Sequence, residues 1–177
     1  MIADRSTAAS DVLTHFRWVD GDADTWNMLR EAHSLESIVS ELAHLASIDG
    51  PDVIMGIEAR GFVLAPMVAL TLGLGFSPIR KGDAMFPGDT ATVESAPDYR
   101  GRIQKLSART DHLGPGVRVS LVDDWIETGS QAMSARQLIE ATGARLVNVA
   151  VIVDEADEAA RSSLPDIRSI VSGNELP

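Results

Sequence analysis

The chain has 177 residues, 45% of them hydrophobic, a formal net charge of -11 and no cysteine. That length carries one proper core and favours a single domain, while the lack of cysteine removes disulfides, thiolate metal sites and a cysteine nucleophile. The negative balance excludes a general nucleic-acid or anionic-membrane surface, because a field of that sign repels phosphates.

A phosphate-bearing ligand therefore needs a local cluster of cations, and Arg80 with Lys81 and the run Arg100, Arg102, Lys105 and Arg109 supply two. No apolar run approaches the roughly 18 to 20 residues that cross a bilayer. The start, MIADRSTAASDVLTHF, lacks a basic segment followed by a hydrophobic one, so a cytoplasmic protein is expected. His15, His33, His44 and His112 are scattered without ligand spacing, which favours surface or packing roles over a histidine metal site.

From the N-terminus, a helical region leads into HSLESIVSELAHLASIDG. There Leu35, Ile38, Val39, Leu42 and Leu45 or Ala46 share one helical face, Ser34 is the expected N-cap and Gly50 lies beyond the end. PDVIMGIEARGF predicts a short buried strand over 53–57 and then a turn. FVLAPMVALTLGLG predicts a helix stopped by Gly73 and Gly75, and FSPIR the next strand. Residues 82–101 carry three Gly, two Pro and few large apolar side chains, which predicts a long loop or a loose hairpin.

VRVSLV (117–122) predicts a further buried strand, SQAMSARQLIEATG (130–143) a helix closed by Gly143, and RLVNVAVIV (145–153) another strand. LPDIRSIVSGNELP adds one more strand and a short tail. Strands alternating with helices at this spacing imply parallel pairing through crossover helices. No internal repeat or low-complexity stretch interrupts the pattern.

The stretch VSLVDDWIETGSQA (119–132) runs from a buried strand into two acids and a Thr-Gly-Ser turn that opens a helix. In an open parallel sheet, ligands lie beyond the carboxyl ends of the strands, where residues 123–131 fall. A helix opening on ETGSQ offers unpaired backbone N–H groups, two hydroxyls and the positive end of its dipole, a setting for a phosphate monoester. Asp123 and Asp124 can accept hydrogen bonds from sugar hydroxyls or hold a hydrated magnesium ion. The same residues also read as a plain strand end, a cap at Thr128 and a tight turn.

Four apolar residues, two acids, a short variable stretch and Thr-Gly resemble the signature of type I phosphoribosyltransferases. GIEARGFVLAPMVALTLGLGFSPIRK (56–81) is similar to the diphosphate loop, following helix and next strand of the adenine phosphoribosyltransferases, and the resemblance spans residues 50–153. It implies a single α/β domain over 1–177, with a mostly parallel central sheet of about five strands flanked by helices. A helical N-terminal hood region would occupy 1–50, the core 51–155, and a C-terminal strand and tail 156–177.

The activity implied is transfer of a phosphoribosyl group from 5-phosphoribosyl 1-diphosphate to a purine base, adenine favoured, with Mg2+, in a homodimer that binds neither nucleic acid nor membrane. Asp123 and Asp124 match the acids on the ribose hydroxyls and the metal, and Thr128, Gly129, Ser130 and Gln131 the 5-phosphate loop. Glu58, Ala59 and Arg60 match the diphosphate loop and Arg80 with Lys81 the basic pair beyond it, with Arg102 and Lys105 as further cations. Asp98 stands where adenine enzymes carry a Glu before Tyr, and Asp98 and Glu127 are candidates to manage a proton on the base. Phe16, Trp18 and Trp125 are candidates to stack on the base, with Trp26 also considered; aromatic packing of the N-terminal helices is the plain alternative.

Three departures bear on activity. Ser130 and Gln131 stand where adenine enzymes continue with Gly and Thr. GDAMFPGDT lacks the Lys that usually follows the basic pair. Glu127 replaces an Ala, and a carboxylate near a bound phosphate costs about 2 to 4 kcal/mol at contact unless it has a task or faces away. These departures leave open a ligand sensor without turnover, or an enzyme acting on a non-purine acceptor.

Overall fold

The computed structural model describes residues 6–83, 86–96, 101 and 103–177. Helix α1 (Thr7–His15), the short strands β1 (Trp18–Val19) and β2 (Asp22–Ala23), helix α2 (Thr25–Met28) and helix α3 (Ala32–Ser47) form the N-terminal region. The core follows as β3 (Val53–Ile57), α4 (Gly61–Leu72), β4 (Gly75–Lys81), β5 (Thr90–Glu94), β6 (Lys105–Arg109), β7 (Arg118–Ile126), α5 (Ser130–Ala141) and β8 (Arg145–Asp154). Helix α6 (Glu158–Ser163), strand β9 (Ile167–Ser172) and a short 3-10 turn (Gly173–Glu175) end the chain.

The main sheet has seven strands in the order β5-β6-β4-β3-β7-β8-β9. The run from β4 to β9 is parallel, and β5 and β6 add an antiparallel hairpin at the β4 edge. The expected five parallel strands are therefore present. Of the two extra strands, β5 lies within 82–101, the segment expected to be a loop or a loose hairpin, and β6 follows just beyond it; Leu106 and Ala108 of β6 bury themselves against the α5 side of the sheet.

The strands β3, β7 and β8 are nearly continuous apolar runs because helices cover both faces. Side chains alternate between two cores. Ile54, Val122 and Ala150 face α3 and α4, whereas Met55, Leu121 and Val149 face α5.

Two boundaries differ from expectation. Ser34 lies inside α3, whose N-cap is Glu31; its buried hydroxyl donates to the Met28 carbonyl at 2.6 Å and ties the helix to α2. Strand β7 continues to Ile126, so Asp123 and Asp124 belong to the strand itself: Asp123 pairs with Val151, and pairing resumes at Trp125 with Val153. No described helix is long and apolar enough to cross a membrane.

Candidate active site

Chain order along the sheet reverses between β3 and β7. The chain leaves β3 through α4 on one face and leaves β7 through α5 on the other, so a crevice opens at the carboxyl ends of these adjacent parallel strands. A cavity of about 750 Å³ lies there. Residues 58–60 after β3, 123–132 from β7 into α5, Lys81 at the end of β4 and residues 21–23 of the N-terminal hairpin all line it. Trp18, Thr25 and Glu155 complete the hood side.

The two acids differ in state. Asp124 is 3% exposed, and its Oδ2 lies 2.6 Å from Arg60 Nε, an ion contact not aligned as a hydrogen bond. Asp123 accepts the Asp124 backbone N–H at 2.9 Å. Burial, and then the neighbouring Asp124 carboxylate, push Asp123 well above the ordinary carboxylate range, with the Asp124 backbone N–H and then Lys81 pulling the other way.

Past β7, Gly129 takes the left-handed conformation at φ 66° and caps α5 without any side-chain hydrogen bond. Thr128 Oγ1 lies 3.4 Å from the Ser130 backbone N as a weak acceptor, and the first turn of α5 otherwise keeps its N–H groups for a ligand. Opposite, the Glu58–Ala59 peptide is cis. Glu58 Oε2 accepts the Lys81 backbone N–H at 3.0 Å and lies 3.5 Å from Arg80 Nε, so this acid orients the end of β4.

The structure separates the expected cations. Arg60 and Lys81 line the cavity, whereas Arg80 turns to Glu58 and stands 5.9 Å from the Phe86 ring, away from the lining. Lys105 donates to Asp83 at 2.9 Å on a smaller neighbouring hollow. Asp98, Arg100 and Arg102 lie outside the described residues. Glu127 is exposed and lines the cavity.

Of the aromatic candidates, Trp18 and Trp125 line the cavity and meet edge-on at 6.2 Å, while Trp26 is half exposed elsewhere. Phe16 is 3% exposed and packs under both, at 5.1 and 5.9 Å, so it supports the pair from the core rather than facing the cavity. Both indole N–H groups are anchored, Trp18 to the Pro177 carbonyl and Trp125 to Glu155 Oε2, each at 3.1 Å.

Sequence reasoning missed Glu155 and Thr25. Glu155 follows an unremarkable strand and carries no motif. Thr25 is 1% exposed, and its Oγ1 has no hydrogen-bond partner among the described residues; only the folded hood reveals either.

Residues 25–174 match the model of the phosphoribosyl transferase domain family. An adenine phosphoribosyltransferase of Kineococcus radiotolerans is 39% identical over 143 residues, covering 81% of this chain and 76% of the relative. One from a Cyanothece species is 36% identical, covering 81% and 83%. Among solved structures, adenine phosphoribosyltransferase from Rhodothermus marinus superposes with a TM-score of 0.81 at 26% identity, covering 95% of this chain and 99% of that one.

Proposed function

From the premise that the chain belongs to the phosphoribosyltransferase family, among relatives named adenine phosphoribosyltransferase, we propose that it condenses adenine with 5-phosphoribosyl 1-diphosphate. The bond from the anomeric carbon to diphosphate breaks, a bond to a ring nitrogen of the base forms, and the base N–H proton departs. The observation that carries the reading is that Asp123 and Asp124, with the uncapped mouth of α5 behind them, share one cavity with Arg60, which contacts Asp124, and with Lys81.

In this reading Asp123 accepts the ribose hydroxyls, with Asp124 beside it held by Arg60. The α5 mouth, with Thr128, Gly129, Ser130 and Gln131, takes the 5-phosphate. Arg60, Lys81 and the backbone of Glu58 and Ala59 take the diphosphate, whose charge calls for fixed, charge-assisted donors. Arg80 contributes by fixing Glu58, and Lys105 reaches the leaving group only if its contact to Asp83 opens. Trp18 and Trp125 flank the base. Glu127, which lines the cavity, and Asp98 are the candidates to receive its proton. Fixed donors aimed at the leaving group, and a reaction centre shielded by hood and loops, favour a loose, oxocarbenium-like displacement over hydrolysis.

The donor set fits a magnesium ion that arrives on the diphosphate. Mg2+ is commonly held by one or two carboxylates together with phosphate oxygens and water, and Asp123 with Asp124 offers that number. No larger cluster of His and carboxylates gathers among the described residues. Bound there, the ion would offset the charge developing on the leaving diphosphate.

A homodimer formed over α4 is part of the proposal: Val63 and Leu70 stand 39% and 82% exposed, two helical turns apart, on the helix that carries the diphosphate loop. Incubation with Mg2+, 5-phosphoribosyl 1-diphosphate and each of adenine, hypoxanthine, guanine and xanthine tests the activity. Diphosphate and AMP are expected with adenine; no diphosphate with any base overturns the reading.

A further inference from the structure

We propose that the Trp125–Glu155 pair sets acceptor choice: Glu155 holds a fixed carboxylate at the base end of the cleft that accepts a hydrogen bond from an amino group on the base and disfavours a carbonyl oxygen there. This deepens the purine reading above and rests on it.

Three contacts position one surface carboxylate. The Trp125 indole N–H donates to Glu155 Oε2 at 3.1 Å. The Glu155 backbone N–H donates to the Ile126 carbonyl at 2.9 Å, locking the end of β8 beside β7. The side chain also lies directly over Gly173, where a Cβ would fall 2.1 Å from Glu155 Cγ, so the bare glycine gives the side chain its present position. An unrestrained Glu would lose appreciable rotamer freedom on binding a ligand, and these contacts remove much of that freedom beforehand.

The location is specific as well. Strand order places the lining groups: Arg60 follows β3 and Lys81 ends β4, Asp123, Asp124 and Trp125 belong to the end of β7 with Glu127 just past it, and Glu155 follows β8, with Trp18 and Asp22 on the N-terminal hairpin. The diphosphate belongs beside Arg60 and Lys81 and the 5-phosphate at the α5 mouth, which leaves the space beside the two indoles and Glu155 for the flat, uncharged acceptor.

A carboxylate only accepts hydrogen bonds, and after taking one from Trp125 it keeps lone pairs for another donor. A 6-aminopurine presents N–H groups on its amino edge, whereas a 6-oxopurine places an oxygen there and leaves two acceptors facing each other. Sites that hydrogen-bond a donor discriminate strongly against an analogue lacking it. Trp125 acts here as a positioning residue, holding Glu155 through its N–H while Phe16 backs its ring at 5.9 Å.

The test compares kcat/KM for adenine and hypoxanthine in the full chain, Glu155→Gln, Trp125→Phe and the double variant, together with AMP and IMP binding followed by tryptophan fluorescence. Gln can still accept from Trp125 while its amide donates to a carbonyl oxygen. Preference for adenine is expected to exceed ~100-fold in the parent. It should fall about tenfold or more in Glu155→Gln, with KM for 5-phosphoribosyl 1-diphosphate unchanged. Trp125→Phe should shift the ratio in the same direction, and the double variant should shift it less than the sum.

An unchanged ratio in Glu155→Gln, or an equal loss with both bases, overturns the proposal. If the parent turns over no base, the catalytic reading falls, and the AMP-to-IMP binding ratio still decides the pair: a shift in Glu155→Gln supports it and an unmoved ratio overturns it.

Discussion

Asp124 lies 2.6 Å from Arg60 as an ion pair, while burial, and then the charge of Asp124, hold the adjacent Asp123 carboxyl well above the ordinary range. Because its folded value exceeds its unfolded value, the folded state retains the proton as pH rises past about 3.9, where the unfolded chain releases it. Stability at this site is thus fullest below the unfolded value and declines as pH rises through the raised one. Asp123→Asn should abolish that decline and raise the midpoint of thermal unfolding at neutral pH, while binding of 5-phosphoribosyl 1-diphosphate falls by more than about tenfold. Thermal scans across pH together with calorimetry separate the two; a lowered midpoint at neutral pH would mean that the carboxylate serves the fold. Asp124→Asn is different: it removes the partner of Arg60, whose side chain is 39% exposed and can turn to water, so stability should fall by no more than about 1 kcal/mol in urea titrations. The motif marked both residues in the sequence, but their unlike states depend on Arg60, 64 positions away in the chain.

The mouth of α5 is built by Gly129, whose left-handed φ of 66° turns β7 into the helix while its face packs on α6. A Cβ there would lie 2.6 Å from Ala160 Cβ. Gly129→Ala should cost about 3 kcal/mol from the strained backbone and the clash, read as a lowered urea midpoint, and should weaken phosphate-ligand binding in parallel. The Thr-Gly pair was legible as a turn because few residues accept that conformation. Helix α6, which makes the glycine indispensable, was not legible: its Glu158–Ser163 run is short, polar and lacks a hydrophobic stripe, and it is fixed by Asp157, whose side chain accepts the Ala160 N–H at 2.7 Å. Strand β5 fits the loose-hairpin alternative for 82–101, whereas β6, beyond that stretch, was not legible, because a five-residue strand whose burial comes from the sheet edge it joins leaves little local signal.

Across the whole molecule, the N-terminal region is clamped to the far sheet edge by Asp49, which receives Asn148 Nδ2 at 2.9 Å and pairs with Arg168 of β9. The Asn148 hydrogen bond, then Arg168, hold Asp49 below the ordinary carboxylate value. Its stabilising contribution is therefore present above about 3.9 and lost as pH falls through the lowered value. Asp49→Ala should cost about 1 kcal/mol at neutral pH, discounted for partial exposure, and nothing in strong acid; urea titrations at the two pH values check it. On the outer face of α4, Leu70→Glu should convert a dimer into a monomer by sedimentation without altering the thermal midpoint of the monomer, and an unchanged mass would place the dimer elsewhere.

Local physics alone determined the alternation of apolar strands with crossover helices, and with it the parallel sheet, because period-2 and helical patterns need no distant partner to be recognised. It also marked the acids and the glycine turn, whose chemistry is confined to a few consecutive positions. Only the tertiary structure decided which cations face the cavity, that Arg60 pairs with one of the two acids, that Phe16 packs beneath Trp18 and Trp125 instead of lining the cavity, and that Glu155 lines it. Those properties arise from side chains brought together across strands β3, β7 and β8, and the energy of a charge or an aromatic ring depends on neighbours that the order of residues along the chain does not place.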